Sequence, residues 1–129
     1  MSPKSVRIRW TTKSAVTGVP FDAIAREILG PRYELSVLVC GDTLMHRLNR
    51  EYRKKDYATN VLAFPLSDTE GEIILNLRKI EREAKALSEL TKHRTTFLFI
   101  HACLHLKGHD HGEKMERLEE KYLAQYTKQ

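Results

Sequence analysis

Apolar and basic positions alternate along Val6-Arg7-Ile8-Arg9-Trp10, the period of two that predicts a strand with one buried face. From Phe21 to Leu29 the spacing becomes helical. Phe21, Ile24, Ala25 and Ile28 share one side, and Gly30-Pro31 is the stop. Tyr33 to Cys40 is dense in β-branched and aliphatic residues and predicts a central strand. Gly41-Asp42 then turns the chain, with Asp42 the expected N-cap of a helix running to about Tyr52 and turning Leu44, Met45 and Leu48 inward. Val61 to Phe64 predicts a third strand that ends at Pro65 or lies at a sheet edge, since proline cannot donate to a ladder. Asp68 to Gly71 is a polar turn into Glu72-Ile73-Ile74-Leu75-Asn76, so these two strands read as a hairpin.

The rest of the chain is helical in pattern. Leu77 to Leu90 has the charge alternation of a solvated helix, with Ile80, Ala84 and Leu87 inward. Thr95 to Lys107 is more apolar and predicts a central helix ended by Gly108, and Lys114 to Tyr126 predicts a short amphipathic closing helix. No repeat, low-complexity tract or linker interrupts the pattern. The expectation is α+β: a single domain over residues 1–129, with a mixed sheet of about four strands and helices packed on it.

Composition narrows this picture. A chain of 129 residues that is 41% hydrophobic fits one self-sufficient core, with no need for disulfides. No stretch approaches the ~20 apolar residues of a membrane span, and the start, Met1-Ser2-Pro3-Lys4, has no apolar region of the secretory type. Cys40 and Cys103 lie far apart in no CxxC pair and are expected to be buried and reduced. A cytoplasmic protein without a membrane partner is expected. The net charge of +5 is lodged entirely in residues 1–58, which carry 11 Lys/Arg against 6 Asp/Glu. Its peak is Arg47, Arg50, Arg53, Lys54 and Lys55.

The chemistry concentrates in His101-Ala102-Cys103-Leu104-His105-Leu106-Lys107-Gly108-His109-Asp110-His111. Histidines four apart on a helix put their imidazoles on one face a turn apart, where two ring nitrogens can converge on one ion. Gly108 sits where a helix ends in the left-handed conformation, and the chain then doubles back to offer His111. One such pair is common by chance. Three histidines at relative positions 0, 4 and 10 with Gly at 7 reproduce the metzincin ligand spacing. Three imidazoles leave a coordination position open, as a catalytic zinc site requires. His109 points elsewhere, and His46 and His93 read as surface residues. Zinc peptidases of this pattern carry Glu directly after the first ligand as general base. Here that residue is Ala102, which accepts no proton, so the metal geometry is kept without the peptidase base.

These residues are similar to a known signature. His101 to His111 resembles the HGxLHLxGxDH motif of the YbeY family, and Leu48 to Pro65 resembles that family's LNxxYRxKDxPTNVLSFP stretch. The resemblance departs at Ala102 for Gly, Ala58 for Pro, Ala63 for Ser, and Gly71-Glu72 for Gly-Asp. Glu72 keeps the carboxylate on a longer side chain.

The resemblance implies a single-strand-specific, zinc-dependent endoribonuclease acting in maturation of ribosomal RNA (the 16S 3′ end) and ribosome quality control. Its partners would be single-stranded or ribosomal RNA and the small ribosomal subunit with associated proteins. It implies one Zn2+ per chain on His101, His105 and His111, with Arg53 and His101 as the catalytic residues. A guanidinium can brace two phosphoryl oxygens in a fork, although by sequence alone Arg53 reads equally as a solvated arginine at a helix end. Arg50, Lys54 and Lys55 are candidate RNA contacts or solubilising charge. Asp110 is a candidate for holding a ligand imidazole in orientation. Thr59-Asn60 binds backbone or lines the cleft, or is a turn that starts the third strand, and the attacking group is zinc-bound water or the RNA 2′-OH. The alternatives are a metallohydrolase of peptides or small molecules, and a ribosome-assembly factor with a structural metal.

Overall fold

A computed structural model of the protein describes residues 6–127. In chain order the elements are β1 (Val6–Trp10), α1 (Phe21–Leu29), β2 (Glu34–Cys40), α2 (Asp42–Arg53), β3 (Val61–Ser67), β4 (Glu70–Asn76), α3 (Leu77–Ala86), α4 (Thr91–Lys107) and α5 (Glu113–Thr127). The strands form one sheet in the order β1-β2-β4-β3. β1, β2 and β4 run parallel, with Ile8 opposite Val37 and Val37 opposite Ile73, while β3 pairs antiparallel with β4. This is the α+β fold with a four-stranded mixed sheet that the sequence predicts.

Strand alternation divides the core. Leu35, Val37, Val39, Ile73 and Leu75 belong to the larger cluster, shared with α1 and α4. Cys40, Leu62 and Ile74 belong to a second cluster with Met45 and Leu48 of α2. The two-residue period makes this split unavoidable once both faces are covered. Both cysteines are free and buried. Helix α4 packs against α1, α3, α5, β3 and β4, so it is apolar nearly all round.

Three expectations are corrected. Asp42 is the first helical residue, and the N-cap is Gly41. The Asp42 carboxylate instead accepts from Asn76 and Arg82, each at 2.9 Å, tying α2 to the β4–α3 junction. Helix α3 stops at Ala86: Ser88 adopts a left-handed φ of 56°, and the Glu89 N–H returns to the Ala84 carbonyl at 2.8 Å. Helix α4 starts a turn early, at Thr91, and the Thr95 and Thr96 hydroxyls donate back to the Thr91 and Lys92 carbonyls at 2.8 and 2.6 Å. Pro65 lies inside β3, which it can because β3 is an edge strand.

Candidate active site

Helix α4 presents His101 and His105 one turn apart, with ring centroids 4.6 Å apart and Nε2 atoms at 3.2 Å. Gly108 ends the helix at φ 107°, and its N–H and that of His109 return to His105 and Leu104, each at 3.0 Å. A residue with a Cβ would be strained there. The reversal lays His111 over the pair, with centroids 5.3 Å from His101 and 5.0 Å from His105. One donor atom from each ring lies within 4.8 Å of the other two.

The donor set fits a tetrahedral cation. Zn–N bonds of about 2.0–2.1 Å at the tetrahedral angle require nitrogens about 3.3 Å apart, close to the 3.2 Å between His101 and His105. Burial holds the His105 imidazole below its ordinary pKa, and the neighbouring His101 and His111 push the same way, so its lone pair is free at neutral pH. His101 is oriented from behind. Its Nδ1 lies 2.5 Å from Oε2 of Glu119, a residue of α5 only 8% exposed. A carboxylate there fixes the tautomer with the proton on Nδ1 and the Nε2 lone pair facing His105.

Arg53 lines a cavity of about 470 Å3 together with His101 and His105, and the same lining includes Asn49, Lys55 and Tyr57. Because β3 is an edge strand, its Ala63 carbonyl points outward, and the Arg53 guanidinium donates to it at 2.7 Å. The same guanidinium lies over the Phe64 ring, 4.9 Å from its centroid. One N–H is engaged by that carbonyl, and a guanidinium carries five.

The remaining sequence candidates divide. Lys55 lines the cavity. Lys54 is the exposed left-handed C-cap of α2, and Arg50 points toward Asp56 at 3.9 Å. Asp110 is exposed, with no side-chain hydrogen bond among the described residues; the carboxylate on a ligand imidazole is Glu119. Asn60 donates to Glu83 and the Thr59 carbonyl accepts from Asn76, so both brace the β3 entry. His46 pairs with Asp56 at 2.7 Å, and His93 is half-buried with an unpartnered Nε2.

Sequence reasoning missed Asn49, Tyr57 and Glu119. One signal for Glu119 was available: it stands four residues after Met115, on the stripe that α5 buries. Asn49, 2% exposed, is likewise a polar residue on the buried side of its helix.

The family model described as endoribonuclease YbeY matches residues 6–127. Endoribonuclease YbeY of Chelativorans sp. is 36% identical over 132 residues, covering 88% of this chain and 81% of that one. Its counterpart from Carboxydothermus hydrogenoformans is 37% identical over 100 residues, covering 70% of each chain. The solution structure of a Thermotoga maritima protein superposes with a TM-score of 0.70 at 25% identity, covering 94% of this chain and 88% of that one.

Proposed function

From the premise that this chain belongs to the YbeY endoribonuclease family, we propose that it is a zinc-dependent, single-strand-specific endoribonuclease. In this reading it matures the 3′ end of small-subunit ribosomal RNA and serves ribosome quality control in the cytoplasm. Its partners are single-stranded ribosomal RNA and the small subunit with its associated proteins. The observation that carries the reading is a cluster of three imidazoles, two of which line one cavity together with the Arg53 guanidinium. No helix among the described residues is long and apolar enough to cross a membrane.

The residues divide the work. Lys55 and the free N–H groups of Arg53 bind a phosphate entering the cavity, and the planar guanidinium suits two phosphoryl oxygens at once. His101, His105 and His111 hold one divalent cation, and Glu119 keeps His101 aimed. Such a cation supplies Lewis-acid polarisation of a phosphoryl oxygen and acidifies a coordinated water. Phosphodiester cleavage gathers charge on the non-bridging oxygens, where Arg53 stabilises the transition state more than the ground state. Ala102, 1% exposed, supplies no carboxylate at the position of the peptidase base, which argues against peptide hydrolysis.

The test measures metal content and cleavage of a defined single-stranded RNA. His105→Ala is expected to lose both, and Arg53→Ala to keep the metal while losing about 10²–10³-fold in kcat. Undiminished cleavage by both folded variants would overturn the reading.

A further inference from the structure

Tyr57 has no part in that division of work, yet its placement is unusual. It is a large ring, 54% exposed, at a cavity that also holds Arg53, Lys55 and two of the histidines. Its backbone is pinned. The buried Asn49 side chain donates to the Tyr57 carbonyl at 2.8 Å, and the Asn49 carbonyl accepts from the Lys55 N–H at 3.3 Å. Between them Asp56 is tied to His46 at 2.7 Å. A surface segment is thus held at three successive residues, and Lys54 in the left-handed conformation (φ 58°) sets the turn that enters it. Tyr52 is as exposed, but it meets Phe64 edge-on at 5.6 Å and borders a different groove.

We propose that Tyr57 is the stacking platform for one unpaired base of the RNA, seating the adjoining phosphate on Lys55 and Arg53 in the cavity that His101 and His105 line. This deepens the endoribonuclease reading and rests on it. An aromatic face accepts any base, and a pinned backbone leaves little entropy to lose when the base lands. A base still stacked within a duplex cannot reach such a ring, so the platform gives single-strand preference a physical cause.

The experiment titrates a short single-stranded RNA, intact, with an abasic site moved along it, or with 2-aminopurine in the same place. It uses wild type, Tyr57→Phe and Tyr57→Ala. Alanine is expected to weaken binding about 5- to 150-fold, whereas phenylalanine holds it within about twofold. One abasic position should weaken wild type by a similar factor and leave Tyr57→Ala unaffected, and 2-aminopurine there should be quenched by wild type and phenylalanine only. Binding and quenching by Tyr57→Ala equal to wild type, with wild type still cleaving RNA, would overturn the platform and leave the nuclease reading standing. A wild type that neither binds nor cleaves RNA would overturn both. Unchanged circular dichroism and metal content of Tyr57→Ala exclude a folding effect.

Discussion

Glu119 gives the most searching test of the metal centre, because it touches no substrate. Its Oε2 lies 2.5 Å from His101 Nδ1, and its side chain is only 10% exposed, so water does not readily replace the contact. Glu119→Ala leaves His101 free to carry its proton on either nitrogen and to rotate away from the position in which Nε2 faces His105 at 3.2 Å. Loss of such an outer partner weakens metal affinity about 10- to 100-fold, equivalent to about 1.4–2.7 kcal/mol. Glu119→Gln retains an acceptor for Nδ1–H without the charge and should fall between wild type and alanine. Zinc affinity is measured by competition with a chromophoric chelator at neutral pH, with circular dichroism to show that the fold persists. A Glu119→Ala protein that is folded and binds zinc as tightly as wild type would refute the orienting role.

Other consequences concern the scaffold and the cleft. The Tyr33 hydroxyl is buried without a partner, so Tyr33→Phe should leave stability unchanged or raise it by up to about 1 kcal/mol in urea unfolding. Gly71→Ala should destabilise by about 1–3 kcal/mol, and the double variant should recover part of that, because a Cβ at Gly71 would clash with the Tyr33 hydroxyl; strictly additive effects would count against it. Hydrogen bonds from Arg82 and Asn76 hold the Asp42 carboxyl below its ordinary 3.8, at about 2. Its stabilisation is therefore complete above pH 4 and lost as pH falls toward 2, and Asp42→Asn should remove that slope from urea midpoints. With the Arg82 and Asp42 side chains 60% and 42% exposed, the effect stays below about 1 kcal/mol. Of the basic cluster only Arg53 and Lys55 line the cavity. The salt dependence of single-strand binding should then have a log–log slope near about −1.4, and one beyond about −3 would mean the whole cluster binds phosphate.

What was legible in the sequence is what depends on neighbours along the chain. β1 and α1 follow from periods of two and 3.6, and the histidines from spacings of four and six residues around a glycine reversal. What escaped depends on contacts remote in sequence. Ser88 ends α3 although the apolar and charged alternation continues to Leu90, because the cap is made by backbone bonds and not by glycine. Arg53 reads as one of five similar cations until β3 is known to be an edge strand with a free carbonyl at Ala63. Asp110 was the nearest carboxylate in sequence to His111, but the turn leaves it in water, and α5 brings Glu119 to His101 instead.

Helix α4 explains why these features converge on a group that could hold one ion. It is the central helix, enclosed by three helices and two strands, and a polar side chain there needs a partner. Glu119 satisfies His101 through Nδ1, which leaves the Nε2 lone pair directed at a second Nε2 only 3.2 Å away. Two lone pairs at that distance repel unless one ring shifts its proton or a cation stands between them. His105 is already biased toward the neutral form by burial, and His111 closes the third side from the reversal at Gly108. A cation would satisfy all three rings at once while Glu119 kept its proton donor. Packing of the core and clustering of the three imidazoles are thus consequences of the same helix placement.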